Sequence, residues 1–196
     1  MMNRLVCVCG FKHSGKDYLA DELVRNHGFV KMSIAYRLKD AMKSLFNFTD
    51  EQVHGSMKEV VDPNWGITPR RAMEFVGTEF FQYEIQKHLC GIGRTFWIKS
   101  LVPELRETLR VYPVVISDMR FVHEFQELKD QFDPIFVRVH NPKVGLSSSH
   151  ISESEHLRIK CTHEFVNNPD VSYAEFQDEV IALLKSGKTK KIGKET

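Results

Sequence analysis

The chain has 196 residues, 42% of them hydrophobic and 27% charged, enough for a substantial core and ordinary for a soluble globular protein. A formal net charge of +1 supplies no global field that would draw it to nucleic acid or a membrane surface. No apolar run approaches the ~20 residues of a spanning helix. The short N-terminal run ends in a glycine loop rather than a cleavage site, so no signal peptide is expected, and the expected location is the cytoplasm.

The first element is a strand, Arg4 to Cys9, followed directly by GFKHSGKD, Gly10 to Asp17. A strand, the spacing G-x-x-x-x-G-K and then a helical pattern from Lys16 meet the conditions for a phosphate-binding loop. In such a loop, backbone N–H groups and the positive helix end cradle phosphates. Gly10, Lys12, His13, Ser14, Gly15, Lys16 and Asp17 are the expected ATP-binding residues, with Lys16 neutralising the β- and γ-phosphates. Asp17 stands where a hydroxyl residue usually meets magnesium. A carboxylate there is repulsive to phosphate unless it faces the metal or its water shell, and it also suits the start of a helix.

A second strand, Phe29 to Ile34, leads to a helix from Tyr36 that carries Lys39. Residues Phe48 to Trp65 hold Gly55, Pro63 and several charges and read as an irregular crossover. Thr68 and Pro69 then cap and start a helix. Arg70 and Arg71 fall in its first turn, where the dipole opposes cations. They are read either as ligands of an anionic phosphate or as ion-pair partners of Glu74 or Asp62. A further helix starts at Phe96.

The strand Val111 to Ser117 places Asp118 at the carboxyl edge of the sheet, where open α/β folds bind ligands. Asp118 suits a magnesium-bound water, and Arg120 suits a transferring phosphoryl group. The alternative for Asp118 is a cap for the helix expected from Phe121. A strand from Pro134 to His140 precedes the Ser-, Gly- and Pro-bearing stretch Asn141 to His150. One more strand, His163 to Asn167, and a helix from Ser172 complete the pattern, with a basic, aperiodic tail at residues 186–196. Apolar strands alternating with helices predict an α/β fold with a parallel sheet flanked by helices. Residues 1–185 are expected as one domain. Cys7 and Cys9 should share one face of their strand. Zinc held by these, Cys161 and His163 is weighed against buried thiols, and buried thiols in a reducing compartment are preferred, with Cys90 the fourth cysteine.

Taken together, HSGKD, Thr68-Pro69-Arg70 with Gly77-Thr78-Glu79, Ser117-Asp118-Met119-Arg120-Phe121 with Glu124, and His150-Ile151-Ser152-Glu153 resemble the deoxynucleoside monophosphate kinases of phages and large DNA viruses. The likeness runs in order over roughly residues 1–185. It implies a nucleoside-monophosphate-kinase-like P-loop NTPase fold, in three layers, with an acceptor-binding helical region at about residues 36–110 and a lid-like loop at about residues 139–155. It also implies magnesium-dependent transfer of the γ-phosphoryl of ATP to a deoxynucleoside monophosphate, for DNA synthesis. Lys16, Asp118, Arg120 and Arg138 become the catalytic set, Asp17 and Asp118 the metal carboxylates, and Lys39, Arg70, Arg71, Thr78 and Glu79 the acceptor set. His150 and Glu153 belong to the lid. One departure concerns the acceptor side: Phe80-Phe81-Gln82 stands where the family has a small residue and then Arg. The SGKD and late S-E stretches are also similar to animal-type phosphomevalonate kinases, and a non-catalytic nucleotide-binding module is the third reading. Nucleic acid and membrane partners are not expected, and a homodimer is left open.

Overall fold

In the computed structural model, residues 5–89, 91–145, 150–151, 154–167 and, in the terminal segment, 175, 178, 180–182 and 185 are described. The chain divides into two compact units: Met1–Ser33 with Val102–Thr196, and the inserted Ile34–Leu101.

The first unit is built on five parallel strands in the order β2-β3-β1-β4-β5. They are β1 (Leu5–Cys9), β2 (Val30–Met32), β3 (Val114–Ile116), β4 (Ile135–His140) and β5 (His163–Val166). β1 lies at the centre and is buried along its whole length, which explains the unbroken apolar run LVCVC. Its even residues, Val6 and Val8, pack with Leu19, Ala20 and Leu23 of α1 (Lys16–His27) and with Val180 of the terminal helical residues. On β4, Phe136 meets Phe125 of α7 (Val122–Phe132), with ring centroids 4.3 Å apart. Val137 and Val139 of the same strand face the α1 side, so helices cover both faces of the sheet.

β2 and β3 are shorter than the expected Phe29 to Ile34 and Val111 to Ser117. Val111 belongs instead to α6 (Phe96–Val111), and Pro113 has no N–H to give a ladder, so β3 begins only at Val114. The Pro113 carbonyl is still used, accepting from the Val30 N–H at 2.8 Å.

The second unit is helical: α2 (Tyr36–Phe46), α3 (Asp50–Val53), a 3-10 turn (Ser56–Glu59), α4 (Pro69–Glu74), a π-helix (Phe75–Glu84), α5 (Ile85–His88) and the first turns of α6. The expected irregular crossover is more ordered than its glycine and proline imply. Thr49 and Gln52 form a reciprocal capping box that starts α3. Phe81, Phe96 and Trp97 stack together, and Trp97 Nε1 donates to the Gly77 carbonyl at 2.8 Å. Gly77 also gives room to Leu38 of α2, because a Cβ there would lie 2.5 Å from Cδ2 of Leu38.

Candidate active site

The loop after β1 has the backbone of a phosphate cradle. Gly10 has φ 150°, and a Cβ on it would meet the Val139 carbonyl oxygen at 2.4 Å, so the chain passes β4 only because this residue is glycine. His13 (φ 64°) and Gly15 (φ 100°) take positive φ, and the Ser14 N–H closes a turn onto the Phe11 carbonyl at 3.1 Å. Gly15 is the N-cap of α1, and the Leu19 N–H reaches its carbonyl. Lys16 follows, only 7% exposed, with Nζ 3.4 Å from the Phe11 carbonyl and 3.7 Å from Asp17 Oδ2. Its amine thus spans the loop. Ser14 Oγ is buried without a hydrogen-bond partner, an unsatisfied polar atom inside the cradle. The other flank is held by Asn167, just beyond β5, whose Nδ2 donates to the Ser14 carbonyl at 2.9 Å.

Two carboxylates are each fixed by a serine hydroxyl, and one of them, Asp17, lies beside Lys16. Ser117 Oγ donates to Asp17 Oδ1 at 2.8 Å, and Ser33 Oγ donates to Asp118 Oδ2 at 2.6 Å. Ser33 and Ser117 follow the carboxyl ends of the neighbouring strands β2 and β3. Burial alone would raise the Asp17 carboxyl, but the Ser117 hydroxyl, Lys16 and Lys31 outweigh it and hold the group below its ordinary value. Lys31 Nζ lies 3.5 Å from Asp17 and 2.9 Å from Asp21. The donors are hard oxygens. Among the described residues no group of three or more His, Cys, Asp or Glu forms a cage for an ion. Magnesium has no need of one, since it is commonly bound by one or two carboxylates together with substrate phosphates and water.

Asp118 does not cap α7. Glu124 does, its Oε2 accepting from the N–H groups of Arg120 at 2.8 Å and Phe121 at 3.0 Å. Burial pushes the Glu124 carboxyl up to about 8, against those two bonds. Asp118 instead accepts from Ser33.

In the helical unit, Thr68 caps α4 by accepting from the Arg71 N–H at 3.2 Å. Arg70 pairs with Glu59 rather than with Glu74 or Asp62. Arg71 takes Glu79, with Nη1 2.5 Å from Oε1 and Nη2 3.3 Å from Oε2. Asp62 is already filled by Gln52 Nε2 at 2.7 Å and the Asn64 N–H at 2.9 Å, which removes it as a partner. Thr78 and Gln82 are buried in the π-helix, and Gln82 Oε1 has no hydrogen-bond partner. Lys39 Nζ lies 3.5 Å from His54 Nδ1.

The chain is 30% identical over 186 residues to a protein of Acanthamoeba polyphaga mimivirus named "Putative deoxynucleotide monophosphate kinase", covering 92% of this chain and 95% of that one. The chain belongs to the deoxynucleotide monophosphate kinase family. No protein-family model matches it. Among solved structures, a protein of Chloroflexus aurantiacus titled a putative kinase superposes with TM-score 0.51 at 14% identity, over 95% of this chain and 98% of that one. TT1252 of Thermus thermophilus gives TM-score 0.51 at 17% identity, over 96% and 100%. These likenesses show the fold, a P-loop kinase fold on a parallel sheet.

In this deoxynucleotide monophosphate kinase family member, Lys16, Asp17, Asp118 and Arg120 all lie in the first unit, with Lys16 and Asp17 3.7 Å apart. Lys39, Arg70, Arg71, Thr78 and Glu79 all lie in the helical unit. Arg138 is engaged as a strut. Its guanidinium donates to the Ile159 carbonyl at 2.5 Å and the His156 carbonyl at 3.4 Å, and its Nε lies 3.2 Å from Glu164. Of the expected lid, Val139 and His140 are the end of β4, His150 is half-buried, and Glu153 lies outside the described residues. Glu155, at the end of that stretch, accepts from the Val122 N–H at 3.1 Å. Sequence reading missed Ser33, Lys31 and Asn167. A small polar residue directly after an apolar strand, as in Met32-Ser33, was the available signal for the first.

Proposed function

We propose that the chain transfers the γ-phosphoryl of ATP to a deoxynucleoside monophosphate, giving ADP and a deoxynucleoside diphosphate. The observation that carries this is the grouping of a buried loop lysine with two serine-fixed carboxylates at the carboxyl edge of a parallel sheet, in a chain of this family. Phosphoryl transfer asks little covalent chemistry of the protein; positioning and charge neutralisation do most of it.

The loop from Gly10 to Gly15 holds the donor phosphates on backbone N–H groups. Lys16 exchanges its long contact with the Phe11 carbonyl for the β- and γ-phosphoryl oxygens. Asp17 and Asp118 would hold magnesium, which when bound neutralises phosphoryl oxygens. Ser117 and Ser33 aim the two carboxylates, and Ser117, Lys16 and Lys31 together lower the Asp17 carboxyl. Arg120 neutralises the transferring group. No general base is needed, because the acceptor phosphate is already an anion.

On the acceptor side, Arg70 and Arg71 sit in ion pairs near the surface, with side chains 29% and 54% exposed. Such pairs are weak, so a dianionic phosphate competes well for a guanidinium. Lys39 adds a further cation. Thr78 and Glu79 are the polar groups offered to the base or sugar. Arg70→Ala tests the assignment: the acceptor KM should rise or kcat fall, with ATP affinity nearly unchanged. Equal loss of affinity for both substrates would argue against a separate acceptor role.

A further inference from the structure

Cys9 closes β1, and the next residue opens the phosphate loop. Its Sγ lies 3.4 Å from Sγ of Cys161, which precedes β5. The two are 152 positions apart in sequence, so it is the tertiary fold that brings them together. Cys7 sits on the same face of β1 and is buried, yet Cys9 is the thiol that meets Cys161. The pair differs in access: Cys9 is fully buried, whereas Cys161 is partly exposed. Neither has a part in phosphoryl transfer as argued above.

We propose that Cys9 and Cys161 form a redox modification site, a thiol pair that a hydroperoxide converts to a disulfide. Cys161 is the attacking sulfur. It is the more exposed of the two; contact with Cys9 and the nearby Arg138 guanidinium favour its thiolate against the opposing effect of burial. Cys9, in contact with Cys161 and fully buried, is pushed well above the ordinary thiol range. A partly exposed thiolate with a neutral thiol in contact is the arrangement of an attacking and a resolving cysteine.

The chemistry balances in two steps. The Cys161 thiolate attacks one oxygen of hydrogen peroxide, the O–O bond breaks, and the departing hydroxide takes up a proton as water, leaving a sulfenic acid. The Cys9 sulfur then displaces the sulfenic hydroxyl, which leaves as a second water with the Cys9 proton. The thiols lose two electrons and the peroxide gains them. Contact must shorten from 3.4 Å to about 2.05 Å, the length of a disulfide. That movement is felt at the loop on both flanks. Cys9 is bonded to Gly10, and the segment after Cys161 carries Asn167, which holds the Ser14 carbonyl.

The test uses the full chain and hydrogen peroxide, with non-reducing tryptic peptide mapping and hydrogen exchange over Gly10 to Ser14. Cys7 and Cys9 share one tryptic peptide, so wild type, Cys7→Ser and Cys161→Ser are mapped together. The expected product is a Cys9–Cys161 link that dithiothreitol reverses, present in wild type and Cys7→Ser and absent in Cys161→Ser. Loop exchange should differ between the reduced and linked forms. A link that disappears in Cys7→Ser, or Cys161 passing to sulfinic acid while Cys9 stays a free thiol, overturns the proposal. A link that leaves loop exchange unchanged overturns its coupling to the loop.

Discussion

Asp17 is the residue that departs from the usual phosphate loop, and its surroundings explain how it is tolerated. The Ser117 hydroxyl donates to one carboxylate oxygen and two lysines lie within 4 Å, so the negative charge is retained and is offset by neighbouring cations. Lys16 is the complement to it. Lys16→Ala should lower the rate of ATP-dependent phosphoryl transfer by on the order of 10²-fold or more in steady-state assays. A wild-type rate would place the donor site elsewhere. Glu124 offers a test of structure without chemistry. Its carboxyl is raised from an ordinary 4.5 to about 8, so between those values the folded chain binds more protons than the unfolded one. Stability therefore falls as pH rises through that window, by about 1.4 kcal/mol per pH unit at most. Glu124→Gln keeps an oxygen for the N–H groups of Arg120 and Phe121 and removes the titration. Denaturant unfolding from pH 5 to 8 should show a flatter pH dependence for the variant. Parallel curves would mean that Glu124 stays ionised throughout.

At the scale of elements, the close pass between the loop and β4 sets the position of the cradle. Gly10→Ala places a methyl against the Val139 carbonyl and forces an unfavourable φ, so the loop must shift. The expected result is a lowered melting temperature together with weakened ATP binding, measured by thermal unfolding and calorimetry. Unchanged values for both would show that β4 gives way at little cost. The strand–loop–helix order, the central buried strand and the helix start at Thr68 were all legible in the sequence, because each rests on a local pattern: an apolar run, a glycine spacing, a capping residue. The π-helix from Phe75 to Glu84 was not, since its changed hydrogen-bond register leaves no residue signature. The partners of Arg70 and Arg71 were also hidden. Glu59 is 11 residues before Arg70 and Glu79 is 8 after Arg71, separations that helix periodicity does not connect. The serines that aim Asp17 and Asp118 lie 100 and 85 residues from their carboxylates, and only the sheet order β2-β3-β1 brings them together.

For the whole molecule, the division into a sheet-based unit and an inserted helical unit separates two tasks in sequence. Every residue proposed to serve ATP or magnesium lies in the first unit, and every residue proposed to serve the acceptor lies in the second. Changes in one set should therefore alter the kinetics of one substrate far more than the other. The phosphates of possible acceptors are chemically alike, so the central claim rests on recognition of a base and sugar. The most direct measurement is ADP release, with ATP and magnesium, across a panel of deoxy- and ribonucleoside monophosphates and mevalonate 5-phosphate, with the phosphorylated product identified in each case. The account predicts turnover of one or more deoxynucleoside monophosphates to the diphosphate, and none of mevalonate 5-phosphate. Robust turnover of mevalonate 5-phosphate with no deoxynucleotide accepted would contradict it.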